Sequence, residues 1–276
     1  MNTRTAINPE LREWILATTR AGNGPQDVLG LMRAHGYDPR LSRSIVAEVL
    51  NLPLAALHAD AAAPTGCRTK HPEGPLASAG DREVRVTLGV DRPVLRVLDG
   101  LLTDEECDEL IALATPRMAR ALTVDATGKQ QIDHRRTNAG MFFKLGELPL
   151  VAQLEQRIAE LLDIPASHGE GLQILHYLPG QEYTPHFDWF DPEQPGYAAV
   201  TARGGQRIAS VVMYLNTPEA GGGTAFPKVG LTVTALRGSA VYFAYEGGDA
   251  SSLHAGLPVQ RGEKWIATKW LRERPY

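Results

Sequence analysis

Apolar residues recur at helical spacing three times within the first 58 positions of the chain. Leu11, Trp14, Ile15 and Thr18 share one face of a segment that Pro9 opens and Gly22-Asn23-Gly24 closes. Val28, Leu29, Leu31 and Met32 mark a second segment that stops at Gly36. Ile45, Val46, Val49 and Leu50 mark a third, over 41–50, just after Asp38-Pro39. Residues 1–58 are therefore expected to form a small helical module. Residues 59–82, rich in Ala, Pro, Gly and small polar side chains, read as a linker, and a larger domain is expected over 83–276. That domain opens with strand-like runs at 84–88 and 94–98. A helix follows, with Thr103 as N-cap, Glu106 completing a capping box, and Leu110, Ile111 and Leu113 as its apolar face. A second helix is expected over 148–162.

From Gly171 the pattern shifts to short β-rich runs punctuated by Gly and Pro: 172–178, 183–189, 207–215, 231–235, 240–244, 253–255 and 264–271. Strands this short and this evenly spaced predict a sandwich or jelly roll. The fold class is thus α+β: a jelly-roll core over about 171–272 with supporting helices, plus the N-terminal helical module.

Composition narrows the function. With 276 residues, 43% hydrophobic and 22% charged, the chain can hold one sizeable domain and an appendage. A net charge of −4 gives no support to a nucleic-acid or membrane-surface partner. Cys67 and Cys107 stand far apart, so neither a disulfide framework nor a cysteine metal site is expected. No apolar run approaches the roughly 20 residues that span a bilayer. The first residues also lack the apolar centre of a signal peptide. A cytoplasmic location is the expectation.

The chemistry centres on His186-Phe187-Asp188 and the distant His254. Two imidazoles and one carboxylate can cap one face of a metal and leave the opposite positions open, as in non-haem Fe(II) oxygenases. In a strand, side chains i and i+2 share a face, so His186 and Asp188 can grip one ion while His254 arrives from a neighbouring strand. Lys264, ten residues beyond His254, is placed to anchor an anionic co-substrate. A His-x-Asp tripeptide alone is weak. Its surroundings are specific: Tyr177-Leu178-Pro179-Gly180 and Tyr183-Thr184-Pro185 before it, then Gly204-Gly205-Gln206-Arg207, Gly221-Gly222-Gly223-Thr224, Ser252-Leu253-His254-Ala255-Gly256 and Gly262-Glu263-Lys264-Trp265.

In this order the motifs resemble the catalytic domain of the prolyl 4-hydroxylase family of Fe(II)/2-oxoglutarate-dependent dioxygenases. The resemblance runs over roughly 92–272 and takes in Asp104-Glu105-Glu106-Cys107 and Arg136-Thr137-Asn138. It implies a double-stranded β-helix holding Fe(II), 2-oxoglutarate and O2, with ascorbate as a candidate reductant. It implies His186, Asp188 and His254 as metal ligands and Lys264 as the partner of the distal carboxylate of 2-oxoglutarate. Tyr177 and Thr224 would offer hydroxyls to that carboxylate. The reaction implied is hydroxylation coupled to decarboxylation of 2-oxoglutarate to succinate and CO2. Tyr183, Arg207 and Trp270 match positions that contact substrate. Arg272 departs from the pattern, standing where many relatives carry a histidine two residues after the tryptophan. It is expected to set a permanent charge at the rim and to favour an acidic or carboxylate-bearing substrate. A closing loop is expected over about 123–137. The target implied is a prolyl residue in a protein or peptide. The rivals are a free amino acid or other small metabolite as substrate, and a non-catalytic jelly-roll binding module. The binding module would be marked by a broken triad or a missing Lys264, and both are intact.

Overall fold

A computed structural model describes residues 7–20, 24–52, 57, 69–120, 123–124, 130–131, 138–245 and 248–276. The chain divides into two compact units, residues 1–65 and 66–276.

The first unit contains three helices, α1 (Pro9–Arg20), α2 (Pro25–Ala34) and α3 (Pro39–Leu50). Each begins with a proline, whose missing N–H is no loss in a first helical turn. Asp38 caps α3 by accepting a 2.8 Å bond from the Leu41 amide, and Asn51, with φ 51°, closes it in the left-handed conformation. Ile15, Val28, Met32, Val46 and Val49 form the unit's own core. Trp14 and Leu31, read as members of the apolar stripes, lie at their edges and stay 36% and 40% exposed.

The second unit is built on a nine-stranded antiparallel sheet. Its strands are β1 (Leu76–Ser78), β2 (Glu83–Asp91), β3 (Val94–Asp99), β4 (Ala119–Arg120), β7 (Ala139–Phe143), β8 (Leu172–Tyr177), β10 (Arg207–Tyr214), β14 (Ala240–Ala244) and β17 (Lys264–Arg272). They lie in the order β1-β2-β3-β14-β10-β17-β8-β7-β4. A four-stranded sheet has the order β13 (Leu231–Val233), β12 (Thr224–Phe226), β15 (His254–Gly256), β9 (Tyr183–His186). Two short ribbons pair β5 (Thr123–Val124) with β6 (Gln130–Gln131), and β11 (Ala220–Gly221) with β16 (Val259–Arg261). Helices α4 (Asp104–Ala114) and α5 (Pro149–Leu162) and the short α6 (Tyr197–Thr201) complete the unit.

Strand alternation gives the large sheet two different faces. Val211, Met213, Ala267 and Leu271 pack with Leu110 of α4 and Leu154 and Ile158 of α5. Val212, Tyr214, Tyr177 and Ile266 pack instead with Phe226 and Val233 of the smaller sheet. β17 is covered on both faces, and all nine of its residues are buried.

The expected elements form, with informative exceptions. The Thr103–Glu106 capping box opens α4. β9 stops at His186 rather than continuing to 189, and β12 was not foreseen because three glycines precede it. The linker reading of 59–82 fails at its C-terminal end. Leu76–Ser78 pairs with β2, and the Thr69 hydroxyl lies 2.6 Å from that of Tyr242, so the fold of the larger domain begins ahead of residue 83. Asp81 is likewise bound in. Residues 125–129 and 132–137, most of the expected closing loop, and Cys67 lie outside the described residues. None of the described helices is long and apolar enough to cross a membrane.

Arg157 of α5 ties this frame together. Its guanidinium donates to both carboxylate oxygens of Asp81 (2.8 and 2.6 Å), both of Glu106 (2.9 and 2.7 Å) and the Leu101 carbonyl (2.8 Å). The Arg157 side chain is 1% exposed, so its removal leaves Asp81 with Gln153 and Glu106 with the Thr103 amide and Arg82 in place of a shared buried cation. Breaking such a buried network by removing one partner typically costs about 3–5 kcal/mol. Arg157→Ala is expected to lose stability of that order in urea unfolding. Arg157→Lys is expected to recover only part of it, because an ammonium cannot reproduce the paired contacts.

Candidate active site

β9 and β15 are antiparallel neighbours, and their register sets His186 directly opposite His254. Asp188 does not share the strand with His186 as the i, i+2 spacing suggested. It sits in the bend after β9, and that bend brings it back toward both imidazoles. Its Oδ1 lies 3.6 Å from His186 Nε2 and its Oδ2 3.6 Å from His254 Nε2. One ligand atom from each of the three residues falls within 4.8 Å of the others.

The ring orientations are fixed from behind. His186 Nδ1 donates to the Thr184 carbonyl at 2.8 Å and His254 Nδ1 to the Ser252 carbonyl at 3.0 Å. A proton held on each Nδ1 leaves each Nε2 lone pair facing Asp188. Phe243 packs on the His254 ring at 4.6 Å and Tyr183 stacks on His186 at 3.5 Å. Burial alone would push the Asp188 carboxyl up, but the charges of His254 and His186 when both are protonated, with Arg207 and the Ser210 hydroxyl, hold it well below the usual range; a bound metal would take the place of those two protons. Two imidazole nitrogens converging on an ionised carboxylate are a donor set that fits a divalent first-row metal.

Lys264 is the first residue of β17 and stands opposite Tyr177 of β8. It is 1% exposed. Its ammonium donates to the Gly222 carbonyl at 3.0 Å and sits 4.3 Å above the Tyr177 ring. Among the described residues it has no carboxylate partner, and burial pulls its pKa down to about 8. Gly222 makes this possible. Its φ is 71°, and a Cβ there would stand 3.2 Å from Lys264 Cδ. Thr224 is buried on β12 opposite Gly256, and its hydroxyl accepts from Tyr214 at 2.8 Å. Lys264 Nζ lies 3.6 Å from where a Cβ of Gly256 would be, two residues along β15 from His254. The ammonium of Lys264 thus reaches the strand that carries His254.

The residues expected to meet substrate fare unevenly. Tyr183 and Trp270 border the metal face, Tyr183 through His186 and Trp270 through Arg207, whose guanidinium lies 4.0 Å over its ring. The Trp270 indole N–H is buried without a partner among the described residues. Arg207 is held in a two-point pair with Glu170 (2.6 and 2.9 Å), and its Nη1 reaches the Asp188 carbonyl at 3.4 Å. Arg272 is not a rim charge. It is 3% exposed, donates to the same Glu170 at 2.7 Å, and uses Nη1 on the carbonyls of Gly205 (2.5 Å) and Val200 (3.2 Å). It is consumed by internal anchoring.

Sequence reasoning missed Glu170. A lone acid between Gly169 and Gly171 carries no motif, and only its position just ahead of β8 could have drawn notice. It also missed Ser210, a single hydroxyl within an apolar strand, which donates to Asp188 Oδ2 at 2.5 Å.

Known proteins resemble this chain in sequence and in fold. The profile of the 2OG-Fe(II) oxygenase superfamily matches residues 172–272. The probable prolyl 4-hydroxylase 3 of Arabidopsis thaliana is 39% identical over 232 residues, which cover 75% of this chain and 78% of the relative. Prolyl 4-hydroxylase 5 of the same plant is 40% identical over 215 residues, covering 69% and 72%. Among solved structures, the viral collagen prolyl hydroxylase of Paramecium bursaria Chlorella virus 1, in complex with 2-oxoglutarate, superposes with a TM-score of 0.51 at 29% identity. The superposition covers 64% of this chain and 94% of the viral one. The chain therefore belongs to the prolyl 4-hydroxylase family of Fe(II)- and 2-oxoglutarate-dependent oxygenases.

Proposed function

We propose that this enzyme hydroxylates a prolyl residue within a protein or peptide, with His186, Asp188 and His254 holding Fe(II) and Lys264 holding the distal carboxylate of 2-oxoglutarate. The observation that carries the reading is Lys264, a buried cation with no carboxylate of its own among the described residues, beside a His-Asp-His set. A metal site alone has no use for such a lysine, whereas a dicarboxylic co-substrate supplies the missing charge. Tyr177 lies beneath the Lys264 ammonium, and Thr224, bonded to Tyr214, pairs with Gly256 close by. Bound Fe(II) and 2-oxoglutarate supply the oxidising chemistry with O2, releasing succinate and CO2. The protein's part is to orient and to exclude water. Nδ1 protons on backbone carbonyls keep both imidazoles aimed. Tyr183 and Trp270 offer rings against which a prolyl side chain can pack, and Arg207 Nη1, held only loosely at 3.4 Å, is the donor left for a peptide carbonyl.

The burial of Arg272 removes the ground for a substrate bearing an acid. Succinate release stimulated by a proline-rich peptide, with a product heavier by one oxygen on proline, is the expected outcome. Stimulation by free amino acids and not by the peptide would overturn the substrate assignment.

Loss of one of three fixed donors lowers divalent-metal affinity by orders of magnitude. His254→Ala is therefore expected to abolish Fe(II) binding in anaerobic titration calorimetry while leaving the circular-dichroism spectrum unchanged.

Lys264→Ala is expected to weaken 2-oxoglutarate binding about a hundred-fold or more, since removing one partner of a buried pair costs about 3–5 kcal/mol. Metal affinity should stay close to normal. The wild type should also show a pH signature. Below about 8 the free lysine is already charged, and above about 8 it must take up a proton to receive the dianion. Apparent affinity should then fall by roughly tenfold per pH unit above that point, and calorimetry in buffers of different ionisation enthalpy should register proton uptake.

A further inference from the structure

One oxygen of Asp188 already has a partner before any metal is considered. Oδ2 accepts the Ser210 hydroxyl at 2.5 Å, and Ser210 is fully buried on β10. A serine hydroxyl has one hydrogen. Because that hydrogen goes to the carboxylate, the 3.2 Å contact between the Ser210 and Tyr245 hydroxyls is donated by Tyr245. The direction of this two-step chain is fixed: Tyr245 to Ser210 to Asp188. Its members sit on firm ground, Ser210 in mid-strand and Tyr245, 2% exposed, just past the end of the adjacent β14 with its amide on the Ile208 carbonyl. Asp188 by contrast lies beyond the end of β9, in a bend with no ladder of its own, so its carboxylate takes its orientation from what reaches it.

We propose that Ser210 and Tyr245 are positioning residues that hold the Asp188 carboxylate by Oδ2 and leave Oδ1 as the oxygen it offers to a metal. The inference rests on the metal-ligand reading above and deepens it. An octahedral ion has six positions. Two imidazoles and one carboxylate oxygen would fill three, and the other three would be left for the co-substrate and O2. A carboxylate free to swing both oxygens onto the ion would take the place that O2 needs.

The test uses the full chain and Co(II) as a redox-silent stand-in, read by titration calorimetry and by the ligand-field absorption of the bound ion. Ser210→Ala is expected to weaken Co(II) binding about ten- to a hundred-fold and to change the absorption spectrum. Ser210→Thr, which restores a hydroxyl at the same point, should return both toward wild type. Tyr245→Phe removes a single oxygen and should shift the spectrum in the same direction by less. Wild-type affinity and spectrum in Ser210→Ala would overturn the proposal, provided that His254→Ala has lost Co(II). If His254→Ala also binds as wild type, it is the ligand assignment that falls, and the relay with it. Should Ser210→Ala fail to fold, an unchanged Co(II) spectrum in Tyr245→Phe overturns the relay, and a shifted one supports it.

Discussion

Asp188 and Lys264 carry opposite charges inside one domain, both more than nine-tenths buried, and neither is the other's partner. Left to a compliant interior, two such groups would close on each other and recover part of their desolvation cost. The two sheets prevent it. Lys264 is fixed at the start of β17 by a carbonyl and the face of Tyr177, while Asp188 is fixed beyond β9 by imidazoles and the Ser210 hydroxyl. The fold carries the cost of both charges in advance, and leaves Asp188 wanting a cation and Lys264 an anion. A divalent metal and a dicarboxylate meet those needs together. Preorganisation of this kind leaves little reorganisation to the chemical step.

The alternation of β10 and β17 keeps the machinery apart from the support. On one face Val211, Met213 and Ala267 serve the core under α4 and α5, and Lys269 pairs there with Glu155 of α5 at 2.6 Å. On the other, Ser210, Trp270 and Lys264 face the site. Lys269 is thus no reserve for Lys264, although both are buried lysines on the same strand. A slip of one residue in this ladder would exchange the two sets completely.

What could be read in the sequence was whatever acts through its own side chain. The imidazoles, the carboxylate and the lysine announce their chemistry by type and spacing, and the capping box of α4 and the proline-led helices are local enough to be legible. What could not be read depends on where the chain has turned. Asp188 was assigned to a strand because its spacing allows it, but the site needs the strand to end so that the carboxylate can return toward both histidines. Glu170 and Ser210 act only on other site residues, Glu170 from 37 positions away from Arg207 and Ser210 from 22 away from Asp188. The Arg272 substitution was legible as a departure, but whether that charge would face solvent or a buried acid is decided by tertiary placement alone.

That placement turns on an irregularity in β10. Its register against β17 shifts between Arg207 and Ala209, so that Ile208 is passed over and Arg207 stands directly opposite Arg272. Strict alternation would have sent Arg207 to the helix side with Ala209 and Val211. Instead Ile208 joins that core and the guanidinium swings over Trp270. The shift achieves what bulges near active sites commonly do, which is to re-aim a side chain. It also creates a problem, because like charges directly opposite across a strand pair repel. Glu170 resolves it: Oε1 accepts from both Nε atoms while Oε2 takes Arg207 Nη2. Two arginines can stand opposite each other at the end of β17 because this carboxylate lies between the two strands' cations. Glu170 is therefore the residue on which both the aim of Arg207 and the tolerance of Arg272 depend.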